Sequence, residues 1–149
     1  MIFDILQTVT NYSKIKNQIN IININYTTYQ NVCIYNLHCK HTMAQSDIEK
    51  FIFRKLKKLN VNHNHRIIDI SNLNDTLVEL HCASSNINQI CIEQITNLKI
   101  IDCSYNYMIH DINHMKQLEI LYCRGESCGI DQNGISELKI KRIYYEGNN

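Results

Sequence analysis

Residues 98–108 read LKIIDCSYNYM, and the spacing of the apolar side chains in this stretch decides the fold. Leu98 is followed by Ile101, then by Cys103, and then by Asn106. Successive side chains of a β-strand point to opposite faces, so Ile101 and Cys103 belong to the same face of a short strand. A strand of this length is not stable alone, and the pattern therefore requires neighbours of the same kind.

The same pattern recurs along the chain in near-constant phase. Its first positions fall near residues 34, 56, 77, 98, 118 and 138, which differ by 22, 21, 21, 20 and 20. Each copy has apolar residues at its first, fourth and sixth positions, except that Lys141 occupies the fourth position of the last copy. Stacked in parallel, such strands bury a continuous ladder of Leu, Ile and Cys side chains.

This pattern resembles that of the leucine-rich repeat family, whose units are roughly 20–29 residues long. The resemblance covers residues 34–149 and implies an α/β fold. The fold it implies is a solenoid with a parallel β-sheet on its concave face and short helical or irregular segments on its convex face. In the family, an Asn in each unit bonds to the backbone of the turn that leaves the strand. That Asn is present at Asn64 and Asn106. Other residues take its place in the remaining copies: Thr42, Ser85, Glu126 and Glu146.

The segments between the strands carry further apolar residues, which we expect on the convex side of the same core: Ile90, Ile92, Ile95, Ile109, Ile112, Met115, Ile130 and Ile135. Each unit leaves room for only a short helix or a 3₁₀ turn. Residues 46–49 (SDIE) have the form of a capping box, and apolar residues follow at helical spacing. We therefore expect a helix from about Ser46 to Arg54.

Residues 1–33 do not fit the phase of the repeated pattern. They contain an isoleucine run interleaved with Asn at residues 19–24, which is typical of a strand. The ends of a repeat solenoid need to be covered. We therefore interpret residues 1–33 as an N-terminal cap or a degenerate repeat, followed by the repeats of residues 34–149.

The composition excludes several classes of protein. A chain of 149 residues with 44% hydrophobic residues suffices for one domain with a core. The net charge of +1 argues against a nucleic-acid-binding protein, which usually has a basic excess. Four Gly and no Pro exclude a collagen-like chain. The 26 Ile and 20 Asn have AT-rich codons, which indicates an AT-rich genome such as that of a large DNA virus or a protist.

The sequence predicts a cytoplasmic location, in the host cytoplasm if the gene is viral. No apolar run reaches the roughly 18 residues of a membrane-spanning helix, and the first residues lack the features of a secretory signal. Seven cysteines in irregular positions suit a reducing compartment better than a disulfide framework. We expect neither a membrane nor a nucleic acid as the partner.

Cysteine recurs at the sixth position of the pattern, which permits two interpretations. The thiols could form a column that binds a soft metal, or they could fill tight inward positions as small apolar side chains. We favour the second interpretation, because burial raises the pKa of a thiol and no C-x-x-C motif is present. The cysteines concerned are Cys39, Cys82, Cys103 and Cys123. His110 and His114 have the spacing of a helical metal pair but lack an H-E-x-x-H motif, so we expect no metal and no cofactor.

The sequence carries no motif of a catalytic site. It has no Gly-rich phosphate loop, no nucleophile elbow and no paired-carboxylate motif. Neighbours such as His81 and Cys82 point to opposite faces of a strand and cannot form a nucleophile–base pair. We predict that the protein is not an enzyme and has no small-molecule substrate.

The outward positions of the strands form the predicted binding surface. Its C-terminal part presents isoleucine, tyrosine and arginine side chains, a composition typical of interface anchors. β-Branched residues also occupy outward strand positions through propensity alone, which is the competing interpretation. The residues predicted to contact a partner are His38, Asn60, His81, Ile100, Asp102, Ile120, Tyr122, Ile140, Arg142 and Tyr144.

The resulting prediction is a non-catalytic module that binds a protein partner through the concave face. One alternative is a substrate-recognition adaptor in protein degradation, in which a separate N-terminal motif recruits the ligase. Residues 1–33 contain no recruiting pattern that we recognise. A second alternative is a Cys/His metal-binding protein.

Overall fold

The computed structural model describes residues 35–49 and 55–146, which form an α/β unit built on a six-stranded, all-parallel sheet. The order of the strands in the sheet is their order along the chain. The strands are β1 (Asn36–His38), β2 (Lys58–Asn60), β3 (Glu79–His81), β4 (Ile100–Asp102), β5 (Ile120–Arg124) and β6 (Arg142–Glu146). Residues 1–33, predicted to be a cap or a degenerate repeat, lie outside the described residues.

The positions predicted to face inward are buried in β1 to β5. Leu80 and Ile101 lie opposite each other at the centres of β3 and β4, and both are 0% exposed. The same alternation buries the first and sixth positions of the pattern: Leu56, Leu77, Leu98, Leu118, Cys39, Val61, Cys82, Cys103 and Cys123. The predicted alternation and the parallel pairing of these strands are therefore confirmed.

The last strand differs from the prediction by two residues. The predicted start at 138 put Lys141 opposite Leu121, whereas β6 puts Ile143 there. The predicted register would bury an unpaired ammonium group, which is costly. In the observed register, the Lys141 Nζ instead lies 2.7 Å from the Glu119 Oε2 at the surface. A shift of two residues preserves the alternation of faces, so the apolar pattern alone does not reveal it.

Short helices and 3₁₀ turns connect the strands. They are α1 (Gln45–Ile48), α2 (Gln89–Ile92) and two 3₁₀ turns at Ser71–Leu73 and Asn133–Ile135. The helix predicted from Ser46 begins one residue earlier, because the carboxylate of Asp47 accepts the N–H of Ala44 at 3.0 Å. Asp47 thus makes the reciprocal bond that the capping-box prediction assigned to Glu49. Residues 50–54 of the predicted helix lie outside the described residues.

The apolar residues between the strands complete the core, with one exception. Six of the predicted residues are buried: Ile92, Ile95, Ile109, Ile112, Met115 and Ile130. Ile135 is partly buried and packs against them. The prediction for Ile90 is wrong, since its side chain is 78% exposed. The helix α2 turns Cys91 and Ile92 toward the core and thereby leaves Ile90 on the outside.

Two buried asparagines connect successive units of the pattern. Asn106 donates from Nδ2 to the carbonyls of Cys82 (3.2 Å) and Ile87 (2.9 Å), and its Oδ1 accepts the N–H of Met108 (3.0 Å). Asn64 makes equivalent bonds: its Nδ2 donates to two carbonyls of the preceding unit, and its Oδ1 accepts the N–H groups of Arg66 and Ile67 in its own unit. The predicted bonding of these side chains to the turn backbone is therefore confirmed for both.

The turns that leave the strands repeat one backbone conformation. His63, Ser84, Tyr105 and Gly125 stand at equivalent positions and have φ values between 48° and 81°. At Gly125 a side chain would also meet the ring of Tyr105, which would have to move aside, so glycine is favoured there. Within residues 35–49 and 55–146, no helix has the length and apolar character needed to cross a membrane.

Candidate functional site

The outward side chains of the sheet divide into a polar cluster and an aromatic cluster. The polar cluster comprises Lys58, Glu79, His81 and Asp102 on β2, β3 and β4. The aromatic cluster comprises Tyr122, Arg124 and Tyr144 on β5 and β6. Parallel pairing places the two clusters side by side on one face, because equivalent positions of neighbouring strands lie in register.

In the polar cluster, His81 lies between two carboxylates. Its Nε2 is 2.9 Å from the Glu79 Oε1, and its Nδ1 is 3.6 Å from the Asp102 Oδ2. Lys58 approaches the other oxygen of Glu79 at 2.7 Å. Ionised carboxylates only accept hydrogen bonds, so the doubly protonated imidazolium satisfies both neighbours best.

The pKa values in the polar cluster move in the directions that this geometry requires. Pairing with Asp102 is the largest cause of the raised pKa of His81; burial opposes it and Glu79 adds to it. Burial alone would raise the pKa of Glu79, but the hydrogen bonds from Lys58 and His81 outweigh it and lower that pKa. The pKa of Asp102 is lowered for the same reason, by His81 and Ser104 against burial.

We expect the contribution of His81 to stability to disappear at alkaline pH. A raised folded-state pKa stabilises the protein fully below the ordinary value of 6.5, and this stabilisation is lost as the pH rises through the folded-state value. The lowered pKa values of Glu79 and Asp102 act in the opposite sense, and their stabilisation is lost only in acid. Urea unfolding of the wild type and of His81→Gln from about pH 6 to about pH 9, which spans the usual titration range of histidine, measures the effect.

The difference in unfolding free energy between the two proteins isolates His81 from the other histidines. This difference should be largest at about pH 6 and fall steadily toward about pH 9, as the imidazole loses its proton. Parallel pH curves for wild type and His81→Gln would contradict the charged arrangement of the polar cluster.

In the aromatic cluster, two tyrosines are stacked across adjacent strands. The ring centroids of Tyr122 and Tyr144 are 4.6 Å apart, and the ring planes differ by 8°. The guanidinium carbon of Arg124 lies 5.8 Å from one centroid and 5.9 Å from the other. Tyr144 is 36% exposed, so the stack offers an aromatic surface with a cation at its border. Such a surface suits aromatic, apolar and carboxylate groups of a partner.

Hydrogen bonds connect the two clusters. The carboxylate of Asp102 accepts the N–H of Ser104 at 3.1 Å, and the Ser104 hydroxyl accepts the N–H of Arg124 at 3.1 Å. Asp102 therefore links His81 on one side to the backbone of Arg124 on the other. This link fixes the end of β5 beneath the arginine side chain.

The predicted contact residues lie on this face except for Ile140, and two of them, Arg142 and Tyr144, lie opposite other residues than predicted. Ile140 precedes β6 and packs partly buried against the core, so its prediction as a surface contact is wrong. Arg142 takes its place opposite Ile120, and Tyr144 lies opposite Tyr122 rather than opposite Arg124. These changes follow from the two-residue shift of β6.

The remaining predicted contact residues occupy the expected strand positions. Ile100 and Ile120 lie opposite each other on β4 and β5, next to the aromatic cluster. His38 and Asn60 lie opposite each other on β1 and β2, at the other end of the sheet and away from the tyrosines. The surface therefore has an apolar and aromatic C-terminal part and a polar N-terminal part.

Arg124 is the member of the aromatic cluster that the sequence prediction omitted. It follows the strand pattern at an outward position, and its place beside two tyrosines depends on the register of β6. With the correct register, the stacking of the two tyrosines and the arginine would have been predictable.

A disulfide joins Cys123 and Cys128, which the sequence prediction did not anticipate. The five-residue separation returns Cys128 beside the end of β5, with a Cα–Cα distance of 5.7 Å that suits a disulfide. The sulfur of Cys103 lies close by, and the three sulfur atoms are all within 4.8 Å of one another. Three other thiols of the described residues are free and buried: Cys39, Cys82 and Cys91.

Comparison with known proteins adds no relative from which a function could be transferred: no family model, no curated protein and no solved structure matches the chain.

Proposed function

We propose that this protein is a cytoplasmic, non-catalytic recognition module that binds a protein partner through the outward face of its parallel sheet. In this proposal the sheet is the concave face of a short solenoid of the leucine-rich repeat type. The sequential order of the parallel strands and the bonding of Asn64 and Asn106 to adjacent units both support that architecture.

The observation that carries the proposal is the stacked tyrosine pair with Arg124 at its border. Tyrosine and arginine dominate the energetics of protein interfaces, because they offer large contact areas and hydrogen bonds. Stacking also orders both rings in the free protein, which reduces the side-chain entropy lost on binding. Ile100 and Ile120 extend this surface with partly buried apolar groups.

The polar cluster supports a structural role better than a catalytic one. Both ring nitrogens of His81 face carboxylates, and Lys58 also pairs with Glu79. Hence His81, the base that a reaction would require, already has both ring nitrogens paired with carboxylates of the cluster. Its role in the proposal is to hold the strands beside the aromatic cluster and to present a polar border to the partner.

The proposal predicts that Tyr122→Ala combined with Arg124→Glu abolishes capture of a partner without unfolding the chain. Truncation of an interface anchor costs about 2 kcal/mol or more, which corresponds to a roughly 30-fold rise in Kd. The measurement is affinity capture from cytosolic extract on the immobilised chain, followed by titration of the identified partner against both proteins. Circular dichroism establishes that the double variant is folded.

Ile90→Ala serves as the matched control. Ile90 is an exposed apolar residue, but it lies on α2 between the strands rather than on the outward face. The control should bind the partner as the wild type does. A partner that the double variant retains, a partner that Ile90→Ala loses, or an extract from which the wild type captures nothing would each contradict the proposal.

A further inference from the structure

Three cysteine side chains converge where the chain leaves β5. Cys103 and Cys123 stand at equivalent positions directly after β4 and near the end of β5, and both are buried. Cys128 reaches the same point from the following turn and is half-buried. All three sulfur atoms lie within 4.8 Å of one another. This cluster is independent of the outward face, because its side chains point into the core.

The spacing of the three sulfurs suits a single metal ion. Three thiolates bound to one ion at about 2.3 Å lie roughly 4 Å apart when they surround it in a plane. The three sulfurs lie within 4.8 Å of one another, and the disulfide between Cys123 and Cys128 must open before all three can reach that separation.

The donor set indicates which ion would fit. Within the described parts of the chain, the cluster consists of three sulfurs, with no imidazole or carboxylate group among its members. Zn²⁺ in structural sites almost always takes four ligands in a tetrahedron. Thiolates are soft ligands that suit monovalent copper as well as Zn²⁺, and a set of three sulfurs without a fourth ligand favours copper.

The surroundings leave a route to such an ion. Cys123 and Cys128 line a groove of about 510 Å³ whose other walls include apolar Ile130 and Ile135 and polar Asp131 and Gln132. Half-buried Cys128 provides an entry point from this groove. The turn between Cys123 and Cys128 contains Gly125 at φ 81° and fixes the return of the chain.

We propose that the reduced protein binds one Cu(I) ion through Cys103, Cys123 and Cys128. The sixth-position cysteines by themselves lie in closed inward positions, which disfavour a metal. The third ligand, Cys128, comes from outside that column. The ion and the Cys123–Cys128 disulfide exclude each other, since both use the same two sulfurs. The site is therefore available only in the dithiol form.

The test begins with the complete chain reduced by a phosphine under nitrogen. The phosphine transfers two electrons to the S–S bond and becomes a phosphine oxide, while water supplies its oxygen and the two protons of the new thiols. After removal of the phosphine, the protein is titrated into Cu(I) held by a chromophoric nitrogen chelator. We expect the wild type to remove one equivalent of Cu(I) and to develop a sulfur-to-copper charge-transfer band in the ultraviolet.

Single alanine variants locate the site. Cys103→Ala and Cys128→Ala should lose the bound equivalent and the charge-transfer band. Half-buried Cys128 is the variant least expected to disturb folding, which circular dichroism verifies. Cys39→Ala is the matched control, because Cys39 is an equally buried sixth-position cysteine directly after the first strand. It should retain both signals.

Four results would overturn the proposal. The reduced wild type could leave all of the copper on the chelator. Cys128→Ala could bind as tightly as the wild type, or Cys39→Ala could lose binding to the same extent as Cys103→Ala. Finally, the unreduced disulfide form could bind as tightly as the reduced form, which would place the ion elsewhere.

Discussion

Ile101→Asp is expected to unfold the domain. Ile101 is 0% exposed at the centre of β4, between Leu80 on β3 and Leu121 on β5. A carboxylate at this position would lie in the apolar ladder without a cation nearby, and the loss of stability should be about 5 kcal/mol or more. A domain of this size has a total stability of roughly 5–15 kcal/mol, so little or no folded protein should remain.

Circular dichroism and urea unfolding measure this effect. The matched control is Ile101→Val, which keeps the side chain apolar and should cost only about 0.5–1.5 kcal/mol. If Ile101→Asp were folded with nearly the stability of the wild type, the fourth position of the pattern would not face the core, and the assignment of faces would be wrong.

Asn106→Leu is expected to cause the second largest loss of stability. The substitution has little effect on volume, but it leaves the carbonyl of Ile87 and the N–H of Met108 without their present partner, while the carbonyl of Cys82 keeps its bond from Ser85. Each buried polar group that loses its hydrogen bond costs about 1–3 kcal/mol. Partial relaxation and entry of water reduce the sum, and we expect a loss of about 3 kcal/mol.

Chemical unfolding of Asn106→Leu and of an exposed asparagine variant gives the comparison. Asn72 is exposed in the 3₁₀ turn at Ser71–Leu73, and Asn72→Leu should change stability by less than about 0.5 kcal/mol. Equal stabilities of the two variants would show that the buried asparagine does not hold adjacent units together.

Ser85 illustrates why bonds like those of Asn106 could be predicted only for the units that carry an asparagine. Its hydroxyl donates to the carbonyl of Cys82 at 2.8 Å and accepts from the N–H of Ile87 at 3.4 Å. These contacts lie within its own unit, whereas Asn106 reaches back to the preceding one. The shorter side chain therefore performs part of the task, as expected from its single hydroxyl group.

The period of the apolar residues was sufficient to predict the strands and their inward faces. A single strong pattern at residues 98–108 and its recurrence define which side chains are buried, because burial selects apolar residues at every second strand position. The same rule could not place β6. A shift of two residues preserves the faces, and the choice depended on the cost of burying Lys141 and on its pairing with Glu119.

The candidate site could be predicted where its residues occupy regular strand positions. It could not be predicted where residues depend on the register of β6 or on the course of a turn. His81, Asp102 and Tyr122 lie at the outward positions assigned to them. Ile140 was assigned to the same face but precedes β6 and packs, partly buried, against the core. Cys128 approaches Cys123 only because the intervening turn folds back, which no spacing rule in the pattern specifies.

The two outward clusters divide the roles of the sheet face. The polar cluster is internally paired and contributes to stability in a pH-dependent manner. The aromatic cluster and the isoleucines of β4 and β5 leave apolar area available to a partner. Changes in the aromatic cluster should therefore affect binding more than stability, and changes at His81 should do the reverse.

Site-specific photocrosslinking tests recognition by the outward face most directly. Benzoylphenylalanine is placed either at Arg142, which is exposed on the outward face opposite Ile120, or at Ile90, which is exposed on α2. The proposal predicts that the captured partner is crosslinked from position 142 and not from position 90. Crosslinking from position 90 alone, or equally from both positions, would contradict recognition through the sheet.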